Sequence, residues 1–135
     1  VKWATPTPQK LVEARAASAP RLIWVGGLAE VWAPALCAVG ARGFTSGLIN
    51  VWPQRAMAIH AALEAQDFAG ARALIEGMKP FEEVRAEELG GANVSGVKTA
   101  LRLQGIDCGP ARPPAAWPLT DSQIARIAAV IGAAT

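Results

Sequence analysis

The sequence predicts an α/β protein in which two or three parallel βα units come first and an all-helical tail follows. Three observations carry this expectation. Residues 21–25 form a short, nearly continuous apolar run closed by Gly26-Gly27 and read as a strand buried on both faces, and residues 43–46, closed by Gly47, are a second short strand candidate. The segment between them has the length of a helix, which gives the strand–helix–strand spacing of a right-handed crossover. From Trp52 onward the apolar pattern takes the period of helices and strand patterns cease.

The elements follow in order. Thr7-Pro8 signals a helix start, since Thr can cap the first turn and Pro loses no needed hydrogen bond at the first helical position. That helix is expected over 8–18, with Leu11, Val12 and Ala16 on its apolar stripe and Pro20 as its stop. After the first glycine-closed run a second helix is expected over 29–39, ending before Gly40. Pro53 opens a helix to residue 65, and Asp67 caps another to residue 78. A charged helix over 81–89 should turn Glu82, Glu83, Glu87 and Glu88 to water before Gly90-Gly91 breaks it. Asn93 or Ser95 starts a helix that stops before Gly105. A proline-rich connector over 108–118 leads to Thr120-Asp121-Ser122-Gln123, which has the spacing of a capping box. The last helix, 121–133, places Ile124, Ile127, Ala128 and Ile131 on one stripe.

Composition narrows the function. Apolar residues make up 52% of the 135 residues, which supplies a core, and a net charge of +2 without a basic run argues against a nucleic-acid binder. Charges or prolines interrupt every apolar stretch before it reaches the roughly 18 residues of a membrane span. Cys37 and Cys108 suit neither a disulfide framework nor a metal knuckle, so a reducing, cytoplasmic compartment is expected. One histidine, His60, and no tyrosine leave little for a histidine triad or a histidine-rich metal site, and no metal is expected. The chain opens Val1-Lys2-Trp3 rather than on Met, and a two- or three-strand parallel sheet cannot cover its own edges; both suggest a piece of a longer protein.

Lys2 is the first chemical candidate. At the end of a strand it would project at the mouth of a parallel sheet, where α/β proteins build their sites. In an apolar setting the ammonium form of a lysine is disfavoured and its amine becomes a nucleophile toward carbonyls. The competing reading is a solvated lysine near a chain start. Gly26-Gly27 before a helix forms either an anion-binding turn or a plain tight turn. Thr45-Ser46-Gly47 brings hydroxyls to the same mouth, or simply turns the chain. Lys98, inside a helix, reads as a packing lysine; His60 reads as structural. The scattered tryptophans 3, 24, 32, 52 and 117 read as packing residues, since no basic stripe accompanies them.

Several segments in this order resemble one family. Gly43-Phe44-Thr45-Ser46-Gly47-Leu48-Ile49-Asn50-Val51-Trp52-Pro53 resembles the last barrel strand and following helix start of the dihydrodipicolinate synthase and N-acetylneuraminate lyase family. Asn93-Val94-Ser95-Gly96-Val97-Lys98-Thr99-Ala100-Leu101 resembles its late helix, and Arg112-Pro113-Pro114 with Pro118-Leu119-Thr120 resembles its connector. The resemblance implies the C-terminal part of a (β/α)8 TIM barrel, strands six to eight over 1–65, followed by a helical C-terminal extension over 66–135. Val1-Lys2 then falls where the sixth strand carries the Schiff-base lysine. Gly26, Gly27, Thr45, Ser46 and Asn50 would line the substrate pocket, and Lys98 becomes a structural lysine.

What the resemblance implies about activity is a lyase that forms an imine with a 2-keto acid and needs no cofactor. The family's proton-shuttling tyrosine and carboxylate-binding turn precede the sixth strand, so an N-terminal half of the barrel would have to supply them. A homo-oligomer is also implied, since members are often tetrameric. Two segments depart from the family pattern: Trp3-Ala4-Thr5-Pro6-Thr7-Pro8 is apolar and proline-rich, and Gly26-Gly27-Leu28-Ala29-Glu30 lacks the acidic pair often found there. Both sit where the distal part of the substrate is received. They point to dehydration of a deoxy-keto sugar acid, with a pyruvate-dependent aldolase or synthase and a non-catalytic interaction domain as the alternatives.

Overall fold

The computed structural model describes residues 1–114 and 117–133, so the expected connector over 108–118 is described except at residues 115 and 116, which lie outside the described residues. The chain forms two compact units, Val1–Ile75 and Glu76–Thr135.

The first unit begins with three chain segments side by side and parallel. Strand β1 (Lys2–Trp3) pairs with β2 (Val25–Gly26), Lys2 opposite Val25 and Trp3 opposite Gly26, and a parallel bridge then joins Gly26 to Phe44. Val25 N–H donates to Val1 O at 2.8 Å and Gly27 N–H to Trp3 O at 2.7 Å. On the other side Gly26 N–H donates to Gly43 O at 2.8 Å and Thr45 N–H to Gly26 O at 2.7 Å. The parallel order matches the sequence reading, but the strand limits do not. The expected strand over 21–25 starts only at Val25, because Leu22 N–H turns back to Ala19 O after Pro20. The one expected over 43–46 shrinks to the bridge at Phe44. Apolarity marks which residues are covered, whereas strand length is set by the partner's register.

Helix α1 (Pro8–Ala16) and helix α2 (Ala29–Ala38) cover one face of these strands. Leu11, Trp24, Leu36 and Ala41 form the core there, flanked by Trp3, Ala14, Trp32 and Val39. The Trp3 and Trp24 rings meet edge to face at 5.7 Å, an arrangement that aromatic quadrupoles favour. Two details of α1 differ from expectation. Thr7 caps through its backbone oxygen, which accepts from Lys10 N–H at 3.0 Å, and its side chain makes no capping bond. Val12 and Ala16 are exposed, and the inward face is Leu11 with Ala14 and Ser18, the set that a 3.6-residue period aligns.

A 3-10 turn (Leu48–Asn50) leads into α3 (Pro53–Glu64), which buries Ala56, Ile59 and Leu63 at helical spacing. Asp67 caps α4 (Phe68–Glu76) as its sequence signals, with Gly70 N–H donating to Asp67 Oδ1 at 2.8 Å.

The second unit packs α5 (Lys79–Ala86), α6 (Asn93–Leu103) and α7 (Asp121–Ala133) on one another. Met78, Phe81, Val84, Ala92, Ala100 and Ile127 are fully buried between them. Helix α5 starts two residues earlier than the charge pattern suggests, since Pro80 fits its first turn, and a second 3-10 turn (Glu88–Gly90) follows it. The four glutamates do not share a solvated face. Glu83 and Glu88 are exposed, but Glu82 pairs with the buried Arg85, and Glu87 accepts from Gln123 Nε2 at 2.7 Å and pairs with Arg126. Arg85 also donates through Nε and Nη2 to Asn93 Oδ1 at 2.9 and 2.7 Å. A polar cross-link between helices explains what a solvated stripe would not.

The expected capping box forms: Gln123 N–H donates to Thr120 Oγ1 at 3.3 Å and Thr120 N–H to Gln123 Oε1 at 2.8 Å. On α7 the buried positions are Gln123, Ile127 and Ile131, while Ala128 is exposed. Hydrogen bonds from Gln123 and Arg126 hold the Glu87 carboxyl below the ordinary glutamate range, and burial pushes Glu82 up despite Arg85.

The lowered carboxyl sets a sign. Because Glu87 binds its proton less readily when folded, its contribution to stability is complete above the unfolded value and is lost as pH falls through the folded one. Glu87→Gln is therefore expected to lower the melting temperature at neutral pH. That difference should close on acidification below the glutamate range, as followed by circular dichroism at a series of pH values.

Candidate functional site

Side chains alternate across a strand, so each residue of β1 and β2 commits to one face. Trp3, Trp24 and Gly26 share the face covered by helices: a β-carbon built on Gly26 would lie 3.0 Å from Leu36 Cδ1 and 3.7 Å from Phe44 Cβ. Lys2, Ala4, Val25 and Gly27 share the opposite face, where a β-carbon on Gly27 would lie 2.7 Å from Lys2 Cε and 3.1 Å from Ala4 Cβ. Lys2 is exposed there and Val25 half-buried. By the same alternation Thr45, next to Phe44, belongs to the face of Lys2.

The remaining expected site residues build the turn beyond Thr45. Thr45 Oγ1 makes a long 3.5 Å contact with Gly26 O. Ser46 Oγ accepts from Leu48 N–H at 2.9 Å and so caps the 3-10 turn; Asn50 Nδ2 donates to Gly47 O at 3.1 Å. Each leaves capacity unspent: the Ser46 hydroxyl proton, and the Asn50 amide oxygen with its second N–H. Lys2 with Gly27, and Gly26 with Thr45, are brought together directly. Ser46 and Asn50 make their described hydrogen bonds within their own turn.

Two features of this mouth escape sequence reading. Ala29 adopts a left-handed φ of 61° two residues after Gly27, a conformation that alanine does not advertise. Glu30, in the first turn of α2, is 1% exposed. Its place in the first turn, where the helix dipole favours a negative charge, is the signal that could have drawn attention to it.

The other candidates fall elsewhere. Lys98 Nζ donates to three successive carbonyls, Cys108 O at 2.8 Å, Gly109 O at 3.3 Å and Pro110 O at 3.1 Å, which is the work of a structural lysine. His60 borders an apolar hollow of about 300 Å³ with Phe44, Ile49 and Met57. Cys37 borders a hollow of about 450 Å³ beside the Arg42–Glu64 ion pair; burial, with Glu64 close by, pushes its thiol up and away from reactivity. Among the described residues no group of His, Cys, Asp or Glu is arranged to hold a metal, and no helix is long and apolar enough to cross a membrane.

Parallel βα units with an amine on the face that the helices leave open define a parallel α/β protein of the barrel kind. The chain belongs to the dihydrodipicolinate synthetase family, whose profile matches residues 1–134. A relative from Rhizobium rhizogenes named "Probable 5-dehydro-4-deoxyglucarate dehydratase" is 35% identical over 125 residues, 90% of this chain and 41% of that protein. One of the same name from Ectopseudomonas mendocina is 37% identical over 107 residues, 77% of this chain and 35% of that protein. Among solved structures, dihydrodipicolinate synthase from Oceanobacillus iheyensis superposes with a TM-score of 0.89 at 32% identity, covering 97% of this chain and 44% of that one. Proteus mirabilis N-acetylneuraminate lyase does so with a TM-score of 0.78 at 26% identity, over 98% and 43%. The chain thus spans about two fifths of the length of the relatives it matches.

The turn after Thr45 gives a local test. Ser46→Ala removes the acceptor of Leu48 N–H, a bond worth about 1 kcal/mol net. Deuterium exchange at the Leu48 amide is expected to quicken about fivefold by that magnitude, with the exchange in α6 unchanged.

Proposed function

We propose that this chain carries the imine-forming lysine of a lyase that dehydrates a deoxy-keto sugar acid. The observation that carries the reading is Lys2, set on the open face of a parallel strand beside Gly27 in a member of this family. The dehydratase names of the two relatives above support the reaction type. β1, β2 and the Phe44 segment are read as barrel strands six, seven and eight, with the second unit belonging to the helical extension. The other strands, the general acid/base and the carboxylate-binding turn come from an N-terminal half.

The chemistry follows from the amine. Neutral Lys2 Nζ attacks the ketone carbon of a 2-keto acid, a C–N bond forms, and the carbonyl oxygen departs as water to leave a protonated imine. That imine withdraws electrons from the next carbon, which gives up a proton to a base outside these residues. The resulting enamine expels hydroxide from the carbon beyond, and hydrolysis frees the amine. Gly27 and the Thr45 backbone flank the imine, with Gly26, which faces the core, carrying the strand between them, while Ser46 and Asn50 offer their unspent hydrogen-bonding groups to the substrate's hydroxyls. The same imine also permits carbon–carbon cleavage, a reading favoured by the likeness to structures titled as a synthase and a lyase. Product analysis separates the two: a dehydratase keeps the carbon–carbon bond next to the enamine carbon, and an aldolase breaks it.

Borohydride reduction of the full-length protein with pyruvate or a deoxy-keto sugar acid is expected to fix the substrate's mass on the peptide containing Lys2. Lys2→Arg should abolish the adduct, because a guanidinium stays protonated and cannot attack; Lys98→Arg should retain it. An adduct that survives the first change and is lost with the second would reverse the assignment, and no adduct at all would favour the interaction-domain alternative.

A further inference from the structure

Gly27 is a glycine for want of a side chain rather than for freedom of its backbone. Its φ lies outside the left-handed region, unlike that of Gly40, Gly90, Gly105 and Gly109. What it lacks is room. A β-carbon there would stand 2.7 Å from Lys2 Cε, closer than real β-carbons come, and a tight 3.0 Å from Lys2 Cγ. The lysine's methylenes lie across the bare backbone of Gly27, with the Ala4 methyl 3.1 Å from the same point on the other side.

Two consequences decide the argument. First, the atom that a Gly27 methyl would meet most severely is near the free end of a flexible, exposed side chain, so the chain most able to give way is that of Lys2 and not the sheet. Second, Gly26 differs: its β-carbon would press on Leu36 Cδ1 in the core, and the cost there would fall on packing. Adjacent glycines thus guard different things.

We propose that Gly27 is the positioning residue for the Lys2 amine, holding open the channel that aims the lysine side chain across the strand toward the substrate carbonyl. This rests on the reading of Lys2 as the imine-forming group. A side chain at 27 would leave the amine present and the fold intact while swinging Nζ out of line. Misplacement by about 1 Å costs on the order of a hundredfold in rates that depend on near-attack geometry.

The test compares the full-length protein with Lys2→Arg, Gly27→Ala and Gly27→Ala/Ala4→Gly, using cyanoborohydride trapping with pyruvate. The trapping rate at saturating pyruvate, the half-saturating concentration and the melting temperature are read for each. Gly27→Ala is expected to slow trapping at saturation at least about tenfold, less than a full 1 Å misplacement would, with the melting temperature held. The added Ala4→Gly should return part of the rate, by giving the new methyl space to recede. Trapping by Gly27→Ala at the wild-type rate overturns the inference, as does a loss that follows a fallen melting temperature and is not relieved by Ala4→Gly. Trapping that persists in Lys2→Arg defeats the underlying reading instead, which keeps the two failures apart.

Discussion

Close approach at Gly26-Gly27 is the constraint on which the first unit depends. Two consecutive residues meet neighbours on opposite faces: a β-carbon on Gly26 would press on Leu36 Cδ1 at 3.0 Å from the helix side, and one on Gly27 would push aside the end of the Lys2 side chain on the other. The backbone between them also carries both ladders, receiving Trp3 and Gly43 carbonyls through its N–H groups and giving Gly26 O to Thr45. Sheet, core and the lysine's path converge on this dipeptide.

The second unit is held by a different device. Its helices share an apolar centre, but polar groups fix how they meet: Arg85 spans from Glu82 to Asn93, and Glu87 gathers Gln123 and Arg126 from α7. Gly96 lets α6 approach the stem of Arg85, where a β-carbon would stand 3.2 Å from Cγ. Such polar contacts add little net stability against an apolar substitute; they make wrong arrangements costly, because displacing α6 would take Asn93 from the buried Arg85 and displacing α7 would take Gln123 and Arg126 from Glu87.

Much of this was legible in the sequence, and the exceptions share a cause. The helices lie within a few residues of where their caps and breakers place them, α5 starting two residues early at Lys79, and the Asp67 cap and the Thr120–Gln123 box form as their spacing says. Local rules settle local structure. Strand limits were misjudged, because a run such as Leu22-Ile23-Trp24 does not record where its partner begins. Val12, Ala16 and Ala128 lie on stripes that helical spacing would turn inward yet are exposed, and Glu82, expected in water, is half-buried; tertiary partners decide each case. At the site, glycine pairs and a chain-start lysine could be noticed separately. That a side chain on Gly27 would meet Lys2 could be learned only from their distance.

The three carbonyls on Lys98 have a consequence for the connector that follows α6. Pro110, Pro113, Pro114 and Pro118 leave that stretch fewer N–H groups, and beyond the turn in which Gly109 N–H donates to Asp107 Oδ1 at 2.8 Å its carbonyls draw on Lys98 for a donor. A single ammonium on a four-carbon tether collects those of Cys108, Gly109 and Pro110 in the way a small cation gathers ligands. The path of the loop is thereby written in the helix before it. Oxygens of the main chain come with any residue, so the tether does not draw on the side chain of Cys108, whose thiol makes its own long 3.9 Å contact with Ile106 O.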